Sequence, residues 1–525
     1  MTDHASTSPS LAGPGHHFDV IVCGAGPSGC VVAGRLAENP DLRVLLIEAG
    51  GDDDVPEVMM PSQWPLNLAS ARDWSFMGEP NPHLNDRAMP LSMGKVLGGG
   101  SSINVMVWAR GHRNDWEDFA EATGNPKWGY ESVLEIYRRI ETYQGKADPL
   151  RRGTEGPVYV APASDDQPAA RALVEAARAH GLPVFDDPNG EMMEGRGGCA
   201  VNDLIVRDGK RSSIYRAYVH GRRGRGNLTV LTDTMVSRLL LRGTRVIGVE
   251  AIRAGRRERF LADREVVLSM GAIQTPKVLM QSGIGPEAEL RRHRIPIVQH
   301  LPGVGENHQD HVACGVIFEY REPLPVRFGG SEVTLYWSTA AEQRLPDLFH
   351  CQLEFPVPSA EVACMGVPAH GWTMFAGLAH PQSRGRVTLS GADVNDVPII
   401  APNTLSHPDD LRTAIASIEL ARALGGHAAF ANVAVREALP GKLDATAMAQ
   451  YVRNAAVTYW HQSCTAKMGR DAMSVVDGQL NVYGMQGLRI ADASVMPHVT
   501  SGNTMAPCVV IGERAADEIR AAHGV

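Results

Sequence analysis

The sequence predicts an α/β fold: a parallel, Rossmann-like sheet at its start, with an α+β unit built on an antiparallel sheet further along. Two observations carry this expectation. A strand, a glycine-rich turn, a helix and a second strand ending in an acid follow one another between residues 18 and 48. Between residues 312 and 391, strand-like runs rich in apolar and β-forming residues recur.

The first strand is "FDVIVC", Phe18 to Cys23. It is nearly continuously apolar, as a parallel strand covered on both faces is. Gly24-Ala25-Gly26-Pro27-Ser28-Gly29 follows and fits G-x-G-x-x-G. Gly24 allows the tight turn, Gly26 lets backbone approach a pyrophosphate, and Gly29 lets helix pack on strand. The predicted helix, Ser28 to Glu38, aims its first N–H groups at that anion. The second strand, Arg43 to Glu48, ends in a carboxylate about 20 residues past the last glycine, where ribose hydroxyls are bound. This order predicts a bound dinucleotide, and the motif alone does not choose between NAD(P) and FAD.

Next comes "MGKVLGGGSSINVMVWARG", Met93 to Gly111. Gly98, Gly99 and Gly100 carry no Cβ, so their N–H groups can touch a flat or anionic ligand. The apolar run Val105 to Ala109 anchors this loop in a core. Residues 227–253 read as strand, loop, strand and turn. Residues 312–321, 348–357, 372–380 and 385–391 read as strands of the second sheet. Residues 407–426 carry acids in their first turn and Gly-Gly at their end, which marks a helix.

Composition narrows the function classes. The chain has 525 residues, 44% hydrophobic and 21% charged, a soluble globular balance. A net charge of −9, with no Lys/Arg-rich run, argues against nucleic acid as a partner. Eight cysteines without a C-x-x-C pair form no disulfide framework and suit a reducing, cytoplasmic setting. Residues 1–17 lack the apolar core of a secretory signal and read as a disordered lead-in. No apolar run approaches the ~18 residues of a membrane span. His308 and His311 lie three apart without a third ligand nearby, so no metal is expected. Nothing sets an oligomeric state.

Four motifs in order resemble the glucose–methanol–choline (GMC) flavoprotein oxidoreductases. Met93–Gly111 looks like that family's first signature, and "GAIQTPKVLMQSGIG", Gly271 to Gly285, like its second. "LPGVGENHQDHV", Leu301 to Val312, looks like the usual family loop, with His308 where Leu is commoner. "GLRIADASVMPHVTSGNTMAPCVVIGERAADEI", Gly487 to Ile519, resembles the C-terminal flavin-binding end. The resemblance implies an FAD-binding, Rossmann-like domain gathered from 18–150, 195–311 and 465–525. Interleaved with it would be an α+β substrate domain from 151–194 and 312–464. It implies FAD contacts at Val96, Gly98, Gly99, Ser102, Asn104 and Val105, at the backbone of Val236, and at Trp460, Asp492, Ala493, Asn503 and Thr504. Trp74 sits where relatives place an aromatic near the flavin; a plain core tryptophan is the other reading. Some relatives tether FAD through a His just before that Asn. Here the place is Ile103, so FAD is expected to be non-covalent.

The stretch "TYWHQSCTAKMG", Thr458 to Gly469, poses the central question. A single His beside a Trp is often an ordinary buried histidine. The resemblance makes His461 a catalytic base, looking most like choline-oxidising members, and makes Asn503 its partner. The implied activity is oxidation of a primary alcohol to the aldehyde by hydride transfer to flavin N5. His461 would take the hydroxyl proton and Asn503 would hold the developing alkoxide. The partners would be a small alcohol and an electron acceptor, O2 or another; a dehydrogenase or slow oxidase is the favoured form. Hydroxynitrile lyases and fatty-acid photodecarboxylases share the fold and form the alternative, with an inert flavin-binding protein as a third. Gln462 is a candidate for shaping the pocket, whose other walls lie in the part least like any signature.

Overall fold

The computed structural model describes residues 16–163, 167–327, 330–340 and 342–525. Residues 1–15 of the expected lead-in lie outside the described residues. His17, its last residue, already opens the first strand, His17–Cys23.

That strand is central in a seven-stranded sheet. Val44–Ile47 runs parallel on one side, and Leu228–Leu231 extends that edge. The long strand Arg256–Leu268 runs parallel on the other side. Its C-terminal end pairs in parallel with Leu488–Ile490, and its N-terminal half pairs antiparallel with Arg245–Arg253. The helix after the glycine turn is Pro27–Leu36, starting one residue earlier and ending two earlier than predicted. Pro27 supplies the fixed φ of the first helical position, and an alanine C-cap at position 37 closes the helix.

The second sheet also has seven strands, and every pair in it is antiparallel. Its order runs Ala434–Leu439, Val312–Tyr320, Gly371–Leu378, Leu348–Leu353, Ser331–Trp337, Gly197–Val201, and the seventh strand, Ala456–Thr458, pairs with the start of Val312–Tyr320. Side chains alternate across it. His350 points to the helix Pro408–Gly425, where its Nε2 lies 2.7 Å from Ser417 Oγ. Phe349, Cys351 and Leu353 point to the opposite face, with Tyr336, Phe375 and Tyr459.

Two assignments made from sequence are corrected here. The run at 385–391 forms only a short strand, Arg386–Thr388, which pairs with Ile399–Ala401 outside the large sheet. Strand Gly197–Val201 lies in the second sheet, although 195–311 was grouped with the nucleotide-binding stretches. Its two glycines explain the misreading: they show no alternation, yet they permit close approach. A Cβ on Gly197 would stand 2.2 Å from Tyr336 O, and one on Gly198 would stand 2.6 Å from Pro183 O.

His308 shows a local cost. Its backbone pairs both ways with Gly385 at 2.9 Å. Its ring is buried, and neither ring nitrogen has a hydrogen-bond partner among the described residues. Burial pushes its pKa down to about 4. His308→Leu is therefore expected to stabilise the fold by about 1–3 kcal/mol, the desolvation cost of an unpaired buried polar group. The gain should grow as pH falls below the unfolded imidazole value of about 6.5, because only the unfolded chain then gains the proton. Denaturant titrations of the two holoproteins at neutral and mildly acid pH measure it; a less stable variant refutes it.

Candidate active site

A cavity of about 520 Å³ runs between the two sheets, from the glycine turn to His461. At one end the turn is built for backbone approach. Gly24 has φ +97°, and a Cβ there would stand 2.3 Å from Ser269 O. A Cβ on Gly29 would stand 2.0 Å from Gly24 O, so helix and strand could not close. Gly99 has φ +51°, and its Cβ would meet Gly26 Cα at 2.8 Å. The two glycine loops thus touch and leave a bare backbone wall. The helix Pro27–Leu36 starts at Gly26 with no side-chain cap, so its first N–H groups are available to an anion. Glu48 stands beside them. Its carboxylate accepts from Ala25 N and Gly50 N, both at 2.9 Å, and burial raises its pKa to about 7. A cradle for a pyrophosphate with an acid at the ribose position fits a dinucleotide.

Most of the residues expected to bind cofactor line this cavity: Gly24, Gly26, Pro27, Ser28, Glu48, Trp74, Gly99, Asn104, Val105, Val236, Trp460, Asp492, Ala493, Asn503 and Thr504. Five do not, and they support the wall from behind. Ala25 accepts from Gly98 N through its carbonyl. Gly29 packs against Gly24. Val96 bridges to Gly51. The Ser102 hydroxyl donates to Leu97 O at 2.6 Å inside the turn, and a Cβ on Gly98 would strike that hydroxyl. Trp74 satisfies both of its readings: it faces the cavity and stacks on Phe76 at 5.7 Å.

At the other end, His461 follows a strained turn. Trp460 has φ +61°, a conformation that costs a non-glycine residue of order 1–3 kcal/mol. Asp310 holds the turn. Its carboxylate accepts from His461 N at 2.8 Å, from the Thr458 hydroxyl, and from Gln462 Nε2 at 3.2 Å. Thr458 Oγ1 in turn accepts from Trp460 N at 2.6 Å. The imidazole is clamped by stacked rings. Tyr336 lies on Phe349 at 4.9 Å, Phe349 on Tyr459 at 4.7 Å, and Tyr459 on His461 at 5.6 Å.

Hydrogen bonding then fixes the tautomer. His311 Nε2 lies 2.9 Å from Ala379 O, a pure acceptor, so Nε2 carries the hydrogen. Burial lowers the His311 pKa to about 4, which keeps that ring neutral and leaves its Nδ1 a lone pair. His461 Nδ1 lies 2.8 Å away and must therefore donate. Burial, and secondarily His311, holds His461 well below the ordinary imidazole value. Neutral His461 thus bears its lone pair on Nε2, 3.3 Å from the amide Nδ2 of Asn503. His311, weighed from sequence only as a metal ligand, is the acceptor that fixes the tautomer of His461. Trp64, Phe355 and Leu353, also missed, line the cavity near Trp460.

The comparisons decide the family. Models of the GMC oxidoreductase family match residues 18–313 and 381–512. The chain belongs to the GMC oxidoreductase family. It is an FAD-dependent oxidoreductase. Among GMC relatives, it is 36% identical to the mitochondrial choline dehydrogenase of Mus musculus, over 96% of this chain and 89% of that one. It is also 36% identical to the oxygen-dependent choline dehydrogenase of Yersinia pseudotuberculosis, over 96% and 94%. Among solved GMC structures it resembles a pyridoxine 4-oxidase from Mesorbium loti, with TM-score 0.91, 32% identity, and 97% and 99% of the two chains covered. No described helix is long and apolar enough to cross a membrane.

Proposed function

We propose that the protein oxidises a primary alcohol to the aldehyde, with His461 as base and Asn503 as the group that holds the hydroxyl. One observation carries the reading: the chain Ala379 O, His311, His461 ends in an unprotonated Nε2 inside the cavity, facing the Asn503 amide. A substrate hydroxyl placed between the two donates to Nε2 and accepts from Nδ2. As the proton moves to Nε2, the amide N–H supports the charge growing on oxygen. FAD in the cradle supplies the acceptor for the hydride that leaves the carbinol carbon. The rings stacked beside His461 exclude water from the base. Anaerobic mixing of the holoenzyme with primary alcohols tests the reading. Bleaching of the flavin by at least one of them supports it; a flavin that no alcohol bleaches overturns it. The acceptor that then reoxidises the enzyme, O2 or another, is read by mixing the reduced form with air-saturated buffer.

The cofactor is proposed to be held without a covalent bond. Ile103 lines the cavity and offers no nucleophile. Cys464, beside the catalytic turn, is fully buried, and burial pushes its thiol up to about 12, so it has no thiolate at neutral pH. Acid precipitation is expected to release all of the yellow colour to the supernatant. A flavin-bearing peptide in the pellet would show a tether.

A further inference from the structure

We infer that the substrate is an uncharged primary alcohol carrying a flat aromatic ring, a hydroxymethyl arene, and that a quaternary ammonium alcohol is rejected. This rests on the reading of the site as an alcohol oxidoreductase and adds the class of alcohol. Two independent observations lead to it.

The first is charge. Among the described residues, two carboxylates reach the cavity wall, Glu48 and Asp492. Both are committed to the nucleotide side. Glu48 holds the N–H groups of Ala25 and Gly50. Asp492 holds Gly271 N at 2.9 Å, the Thr275 hydroxyl at 2.7 Å and Ser494 N at 2.8 Å. Asp310, behind His461, is turned to the Thr458–Gln462 turn and is not part of the wall. The cavity wall also includes Trp64, Leu353, Phe355, Val357 and Trp460, with Gln462 and Ser331 as neutral polar groups. A permanent cation brought there would lose its water and meet no counter-charge.

The second is ring geometry. Aromatic rings hold a cation when it sits over a ring face, within about 6 Å of the centroid. Such contacts contribute less than desolvating an unpaired ion costs. Here the rings touch each other. The Trp64 and Trp460 centroids are 6.5 Å apart at 69°, and Trp64 and Phe355 are 6.2 Å apart at 39°. Those are contact distances for aromatic pairs. The three rings form one continuous aromatic wall. A flat ring extends such a wall through the same edge and offset contacts. Its hydroxymethyl group can then reach the His461–Asn503 pair. The balance is simple: the hydroxyl proton passes to His461 Nε2, the carbon-bound hydrogen leaves with its electron pair to FAD, and the arenecarbaldehyde remains.

The test is anaerobic stopped-flow reduction of the holoenzyme by benzyl alcohol, hexan-1-ol and choline. Benzyl alcohol is expected to exceed choline by about 100-fold or more in reduction rate per unit concentration, with hexan-1-ol between them. In Phe355→Glu, loaded with FAD to the wild-type level, choline should gain on benzyl alcohol by about tenfold or more, since the wall then carries a counter-charge. If that variant does not load with FAD, the wild-type panel decides alone. Choline reducing the wild type as well as benzyl alcohol does would overturn the inference and leave the alcohol reading standing. Hexan-1-ol outrunning benzyl alcohol would also overturn it. Reduction by none of the three, while an alcohol without an aromatic ring bleaches the flavin, overturns only the substrate class; a flavin that no alcohol bleaches overturns the reading beneath it as well.

Discussion

His461→Ala is expected to lower the rate of flavin reduction by about 10²–10⁴-fold, the worth of a positioned acid–base group, while FAD stays bound. The size follows from what the residue does. An alcohol hydroxyl at neutral pH gives up its proton only to an acceptor already in place, and Nε2 is the acceptor we propose. Its lone pair is guaranteed by two hydrogen bonds upstream, through His311 to Ala379 O. FAD retention is expected because the cradle of Gly24, Gly26, Gly99 and Glu48 lies at the far end of the cavity. The pH profile gives a second check. His461 is 8% exposed, and burial holds its pKa well below the ordinary value. A base is active when unprotonated, so wild-type reduction should stay level as pH falls through about 6.5, where a free imidazole would begin to fail. Reduction at a near-normal rate in the alanine variant would remove His461 from the chemistry. A wild-type rate that halves near pH 6.5 would leave the base in place but remove its burial as the controlling factor.

The nucleotide half of the site was legible because its chemistry is local. Gly24, Gly26, Gly29 and Glu48 lie within one strand–helix–strand unit, so their spacing in sequence is their spacing in space. Even there, residues that face the ligand could not be told from those that brace it: Ser102 and Gly98 turn inward, while Gly99 faces the cavity. The catalytic half was legible only by resemblance, because its parts come from distant stretches. His461, Asn503 and His311 meet across 42 and 150 positions. No periodicity joins them. Asp310 illustrates the limit. In sequence it is one acid in a loop; in space it fixes the turn that makes Trp460 adopt a left-handed backbone. The substrate wall was least legible. Trp64 lies in a short 3₁₀ stretch without a pattern, and Phe355, within the run 348–357 read as a strand, lies just past the strand's observed end at Leu353. In the second sheet the strands within 312–321, 348–357 and 372–380 were legible, whereas Ser331–Trp337, Ala434–Leu439 and Ala456–Thr458 were not, nor Gly197–Val201, where glycines erase alternation.

Asn503→Ala should also slow reduction, by about 10²–10³-fold, as loss of one preorganised donor at a developing oxyanion does, and by less than the loss of His461. The residue is placed with care. Its loop is tied down by Asp115, which accepts from Ser501 N at 2.8 Å, and by His380, whose Nε2 lies 2.7 Å from Ser501 Oγ. Gly502 has φ +83°, and a Cβ there would stand 2.3 Å from Tyr336 Oη, so the chain can turn there only with glycine. The final helix, Met505–His523, begins two residues after Asn503. A turn residue in such a place would normally satisfy the turn with its own side chain. Asn503 does not: its Oδ1 is buried without a partner among the described residues, and its Nδ2 is turned to His461. A buried amide oxygen left unpaired is a cost that folding alone does not explain. Two measurements on the alanine variant separate the roles. If Asn503 holds the reacting oxygen, the limiting reduction rate falls while stability is unchanged or rises, because the unpaired amide is gone. If it only shapes the turn, stability falls and the limiting rate of the folded fraction stays within about twofold of wild type. That second pattern would return the stabilisation of the alkoxide to some other donor.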